Sequence, residues 1–256
     1  MTLPANLVEE LSAFLLLFAR VGAFLMLLPL SGDDSVPGRI RILFSVALTV
    51  SLFGLLRDRV FALAQLDEAE LLLMMAAELG LGLALGTIVR TLLHAATMAG
   101  SIISLQMGLT TAIVFDPGLG GQTPVAGKLL ALGAILVCLA LGIHHLWFEA
   151  LVRSYQSFPP GQLPAAADML ELFVATLDQA MRIAVGLAAP FLIYGLLFNV
   201  ALGLASRLAP TIQLFFIAQP LNLALGLALL AMTAAAILLQ FANAYAEWLS
   251  GGWANG

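Results

Sequence analysis

Arg20 and Glu78 are the side chains whose placement promises the most chemistry. Each interrupts a long apolar run, Arg20 in FLLLFARVGAFLMLL and Glu78 in LLLMMAAELGLGLALG. A charge at the centre of a bilayer costs about 2.5–3.5 kcal/mol on insertion scales, so such groups turn inward and pair. Glu78, Gly82, Gly86, Arg90 and His94 recur every four residues, which holds them on one slowly drifting stripe of a helix. Gly82 and Gly86 make a GxxxG step, which admits a second helix at close range. Two chemistries fit this pattern. One is a structural ion pair between Arg20 and Glu78 on a helix–helix contact face. The other is a proton or ion relay through the membrane. The glycine step favours the first.

Other reactive side chains lack the company that catalysis needs. His144 and His145 are adjacent and point about 100° apart on a helix, whereas ligands on one helix stand about a turn apart, as in H-E-x-x-H. With Trp147 and Glu149 they read as an interfacial cluster at a helix end, and no metal is expected. Ser101 has no G-x-S-x-G context. The single cysteine, Cys138, lies in LGAILVCLALG and reads as a small buried hydrophobe. No P-loop or dinucleotide fingerprint is present, so neither an enzyme nor a cofactor is expected. Met74, Met75 and Met98 read as core packing, while Met107 sits in an unusual segment.

That segment, residues 104–124, reads SLQMGLTTAIVFDPGLGGQTP. It is apolar enough for membrane depth, with Ile113, Val114 and Phe115 in succession. Gln106, Gly108, Asp116, Pro117, Gly118, Gly120 and Gly121 nevertheless argue against one regular helix. Broken backbone at that depth is tolerated only when buried in protein or lining an aqueous cavity. The segment is therefore a candidate for a loop in a pore or pathway.

The elements that hold these residues are helical. Hydrophobic residues make up 62% of the 256 and charged residues 10%, with a mean hydropathy of +1.05, where a soluble domain carries about 25% charged residues. The formal net charge of −5 argues against nucleic acid, which needs a basic patch. The fold class is all-α, a polytopic membrane-type protein with kinked helices. Six apolar blocks, at residues 11–30, 40–56, 71–97, 129–152, 183–204 and 212–241, come close to or exceed the roughly 20 residues that span a bilayer. The second is the shortest and reads as a partial span or an internally packed helix. Residues 57–70 form a charged connection, and residues 157–164, SFPPGQLP, an exposed turn. Residues 165–182 read as an amphipathic helix with Asp168, Glu171 and Asp178 on its wet side. Pro190 and Pro220 should kink the last two helices, which form a hairpin around Arg207-Leu208-Ala209-Pro210. Asn199, Gly203, Asn222 and Gly226 offer amide and small-residue contacts along it.

The charge bias is weak. Arg39 and Arg41 mark the first loop as cytoplasmic and place the acidic N-terminal tail, with Glu9 and Glu10, outside. Arg57 and Arg59 then fall on the wrong side. No signal peptide with an early cleavage site is visible, and no tandem or inverted repeat of the kind transporters carry.

Phe18-Ala-Arg-Val-Gly-Ala-Phe-Leu25, Val36-Pro-Gly-Arg-Ile-Arg41, Glu78-Leu-Gly-Leu-Gly82, Gln106-Met-Gly108 and Phe115-Asp-Pro117, in that order, resemble the family of the flagellar biosynthesis protein FliR. That family also includes the corresponding subunit of injectisome type III secretion systems. The resemblance implies a core subunit of the export gate, built with P and Q subunits and contacting the B subunit, through which unfolded flagellar proteins pass. It places the chain in the bacterial inner membrane at the flagellar basal body, in contact with lipid. It implies a P-like portion at about residues 1–180, a Q-like hairpin at about 181–256, and an assembly that holds much of the protein above the bilayer plane. It also makes residues 104–124 a plug loop, carried over to Gln106, Met107, Gly108, Phe115, Asp116 and Pro117.

Overall fold

The computed structural model describes residues 5–28, 37–61, 63, 67–109, 124–161, 165–208 and 214–251. Among these the chain forms seven α-helices and no strand. They are α1 (Ala5–Leu27), α2 (Gly38–Val60), α3 (Glu68–Gln106), α4 (Val125–Ala140), α5 (His144–Ser157), α6 (Ala166–Leu208) and α7 (Leu214–Gly251). Among the described residues, five helices are long and apolar enough to cross a membrane, or six spans if α4 and α5 count as one.

Several helices depart from the sequence blocks: α3 runs past Thr97 to Gln106, so Ser104–Gln106 of the glycine-rich segment are helical, and α7 runs past Phe241 to Gly251. Residues 129–152 are not one helix: α4 and α5 meet at a 76° bend. Gly142, at φ 74°, takes the left-handed conformation that ends α4. The Ile143 amide donates to the Cys138 carbonyl at 2.9 Å and the Gly142 amide to Leu139 at 3.2 Å, the paired bonds of a Schellman cap. Conversely, residues 165–182 and the block that follows are one helix, the 43-residue α6. Nothing between Asp178 and Ile183 breaks a helix, so it runs on. The second block is neither short nor interior. α2 has 23 residues and exposes Ile40, Leu43, Val50 and Leu55. Pro190 and Pro220 lie inside α6 and α7, which continue through them.

The chain folds as two compact units that share the long helices. The first comprises Met1–Thr91, His144–Thr176 and Trp248–Gly256; the second comprises Leu92–Ile143 and Leu177–Glu247. The first unit has a core of Leu16, Leu17, Phe24, Leu85, Leu151 and Tyr155. The second packs Leu92, Ile103, Met107, Phe191, Phe241 and Tyr245 inside.

Candidate functional site

Among the described residues, a buried polar cluster stands out in each unit. In the first unit, α1 and α3 bring Arg20 onto Glu78. Nε of Arg20 donates to Oε2 at 2.5 Å and Nη2 to Oε1 at 2.9 Å, a forked geometry that suits a guanidinium and a carboxylate. Both side chains are buried. The remaining donors reach the C-terminal end of α5: Nη1 and Nη2 to the Phe158 carbonyl, each at 3.1 Å, and Nη1 to the carbonyl of Ser154 at 3.3 Å. Arg59 donates to the Tyr155 carbonyl at 3.1 Å. The guanidinium carbon of Arg20 also lies 4.1 Å from the centroid of the Tyr155 ring. Carbonyls at a helix C-terminus carry partial negative charge and lack helical partners, so cations are favoured there.

The two glycines of the stripe make this possible. A Cβ on Gly82 would collide with the Arg20 carbonyl and stand 2.8 Å from the Ala23 Cβ; one on Gly86 would lie 2.9 Å from both the Leu27 Cβ and the Phe24 carbonyl. Their absence lets α1 lie against α3 at the depth where Arg20 meets Glu78. Four-residue steps advance a helix by about 400°, a drift of about 40° per step. Glu78, Gly82 and Gly86 are accordingly buried, Arg90 half-buried and His94 exposed. Beyond Glu78, the donors of Arg20 reach the Phe158 and Ser154 carbonyls and the Ser154 hydroxyl.

In the second unit, α3 ends at the start of the glycine-rich segment. Gly108 has φ 76°, its amide donates to Leu105 at 3.2 Å, and the Leu109 amide donates to Ser104 at 3.0 Å. This is a second Schellman cap. It satisfies the carbonyls of Ser104 and Leu105 and leaves that of Gln106. Asn222 of α7 takes it, with Nδ2 donating at 3.1 Å. Tyr194 of α6 in turn donates its hydroxyl to Asn222, 2.6 Å from Oδ1 and 3.0 Å from the backbone carbonyl. Glycines again allow close approach. Gly195 leaves the space that the Gln106 amide occupies, and a Cβ on Gly226 would stand 2.5 Å from Cγ of Met107. Gln219 Oε1 lies against Gly108, 2.7 Å from where a Cβ would be. α4 crosses α3 nearby, where a Cβ on Gly100 would be 2.5 Å from the Gly127 Cα.

Of the expected plug residues, Gln106 closes α3, Met107 is fully buried and Gly108 forms the cap. Phe115, Asp116 and Pro117 lie outside the described residues. Asn222 and Gly226 face the end of α3, whereas Asn199 is exposed and a Cβ on Gly203 meets nothing within 4 Å. The interfacial reading of residues 144–149 needs correction: Trp147 is buried, although His145 and Glu149 are exposed. The inward face of α5 carries Trp147, Leu151, Ser154 and Tyr155, which places the tryptophan in the core. Tyr194, Gly195 and Gln219 were not anticipated as site residues. Among the described residues, no group of three or more His, Cys, Asp or Glu side chains is placed to hold a metal.

Residues 11–248 match the family described as bacterial export proteins, family 1, a span that takes in both clusters. The chain belongs to this family. It is 35% identical to a flagellar biosynthetic protein FliR of Caulobacter vibrioides, over 91% of this chain and 93% of that protein. It is 32% identical to FliR of Bacillus subtilis, over 94% and 93% respectively. It is also 31% identical to the Yop proteins translocation protein T of Yersinia pestis, over 88% and 87%. The relatives thus carry both flagellar and Yop-translocation names. This chain is a helical, membrane-type export-apparatus subunit.

Proposed function

We propose that this chain is a non-enzymatic core subunit of the flagellar type III export gate. It forms, with P and Q subunits, the channel through which unfolded flagellar proteins leave the cell during flagellum assembly, and it contacts the B subunit. The observation that carries this reading is the family match over residues 11–248, with flagellar relatives covering nearly the whole chain. The gate stands in the inner membrane at the flagellar basal body. Residues up to about 180 serve as a P-like portion and the rest as a Q-like hairpin. Residues 104–124 close the channel at rest. Support for this last point comes from the sequence, apolar but rich in helix breakers, and from the abrupt end of α3 at Gly108.

Co-expression with the P, Q and B subunits tests the reading. The chain is expected to purify in complex with them, and to be unstable alone. In the assembled gate, deletion of residues 108–118 should raise the leak of ions and small solutes. Unchanged conductance in an assembled deletion variant rules out the plug. A chain that purifies stably alone and binds a small solute would instead be a transporter.

A further inference from the structure

The end of α3 is held by more than packing. Its Schellman cap does not serve the carbonyl of Gln106, and the buried Asn222 supplies a donor to it. The opposite side of the same amide accepts from Tyr194, so Asn222 is fixed in the orientation that points its Nδ2 at Gln106. Two side chains flanking that carbonyl are seated in gaps that only glycine leaves, Gln106 against Gly195 and Met107 against Gly226. We propose that Tyr194 and Asn222, with Gly195 and Gly226, are positioning residues that clamp the end of α3. They thereby fix the point from which the chain enters residues 110–123. This rests on the reading of residues 104–124 as the resting block.

The bonding pattern suits a clamp that lets go. The Tyr194–Asn222–Gln106 bonds join neutral groups. Losing one neutral hydrogen bond shifts an equilibrium by roughly two- to tenfold, enough to bias a conformation without locking it. The bond to α3 falls on a backbone carbonyl. It therefore reads the position of the helix end rather than the identity of residue 106. The side-chain contacts of Gln106 and Met107 add the sequence-dependent part. Helix ends are where such shifts of the backbone begin, because their carbonyls have no helical partner to lose.

The test uses the gate assembled from full-length subunits in membranes, with Leu109→Cys as a reporter and Cys138→Ala to remove the native thiol. Leu109 follows the cap directly and is half-buried. The readouts are the rate of alkylation by a water-soluble maleimide and the ion leak, both normalised to the amount of assembled gate. Asn222→Leu is expected to raise both by about two- to tenfold, and Tyr194→Phe to raise both by less. Gly226→Ala should act similarly by displacing Met107. Adding Met107→Ala should then bring alkylation back towards the parent rate, a rescue that general destabilisation does not produce. Should Asn222→Leu fail to assemble, Tyr194→Phe and the Gly226/Met107 pair decide the matter. Parental alkylation in assembled clamp variants overturns the proposal, whatever the deletion of residues 108–118 does. Raised alkylation together with a harmless deletion keeps the clamp and discards the plug. Raised alkylation with parental leak, in gates where the deletion does leak, also overturns the proposal.

Discussion

The two buried clusters solve the same problem with different chemistry. Each supplies donors to carbonyls left over at a helix C-terminus, α5 in the first unit and α3 in the second. At α5 the donors are guanidiniums, and the charge of Arg20 must be balanced by Glu78. At α3 the donor is an amide, held by a phenol, with no charge involved. A buried ion pair is costly to form and very costly to break one partner at a time. A neutral hydrogen bond contributes only about 0.5–1.5 kcal/mol net. The first unit thus has a joint that cannot open without stranding a charge. The second has a joint that opens at little cost. Both use glycine to bring helices together, so the contrast lies in the polar groups, not in the packing.

The largest effect should come from the charged joint. Arg20→Met leaves Glu78 buried and alone and should cost about 3–5 kcal/mol, read as lost thermal stability of the detergent-solubilised complex. Arg20→Met with Glu78→Leu should recover part of that. Recovery stays incomplete because the Phe158 carbonyl still loses the Arg20 donors. Asn222→Leu in the same assay takes the donor from the Gln106 carbonyl and should cost less, about 1–3 kcal/mol. Equal losses for Arg20→Met and Asn222→Leu would erase the distinction between the units.

An intermediate effect is expected from the glycines. Gly82→Ala pushes a methyl group into the Arg20 carbonyl and the Ala23 side chain. Overpacking of this kind costs about 1–3 kcal/mol, and the gain in helix propensity, about 1 kcal/mol, offsets only part of it. Because the change pulls Arg20 away from Glu78, its cost should shrink when both charges have already been removed. A cost that adds fully to the double variant would show that Gly82 does not serve the ion pair.

The smallest effect on the chain itself belongs to Gly203. A Cβ there meets nothing within 4 Å, so Gly203→Leu should stay within about 0.5 kcal/mol of the parent. It therefore isolates the outer face of the hairpin. If that face receives a Q subunit, pull-downs from gates carrying Gly203→Leu should lose Q and keep P. Loss of P with Q retained would reverse the assignment of the two halves.

The sequence made some of this legible because the signals were local. Arg20 and Glu78 stood out as single charges in apolar runs, and the four-residue glycine step pointed to a close helix contact. Gly108 stands out as a helix breaker, and only a residue tolerant of positive φ closes a Schellman cap cheaply, but the apolar block ends at Thr97 while α3 runs on to Gln106. Gly142 carries the same signal in LGIHH, but the apolar run continues past it and hid the bend. The continuity of α6 was hidden for the opposite reason: Asp178 and Arg182 dilute the apolar signal without breaking the helix, and they pair with one another at 2.7 Å along its surface. The Asn222–Gln106 bond joins residues 116 apart in sequence, and no periodicity reports such a meeting. Its donor could be noticed as a buried amide, but its acceptor is a backbone carbonyl, which every residue has.

The length of α6 has a consequence of its own. At about 1.5 Å per residue, its 43 residues follow a helical path about 65 Å long, roughly twice the 30 Å thickness of a bilayer's hydrocarbon core. A straight helix of that length would need a tilt of about 60° to fit wholly inside, beyond the roughly 0–40° range of membrane helices. α3 and α7, with 39 and 38 residues, face nearly the same mismatch. A straight helix of this length projects past the lipid. Counting apolar stretches then overstates how much of this protein is solvated by lipid.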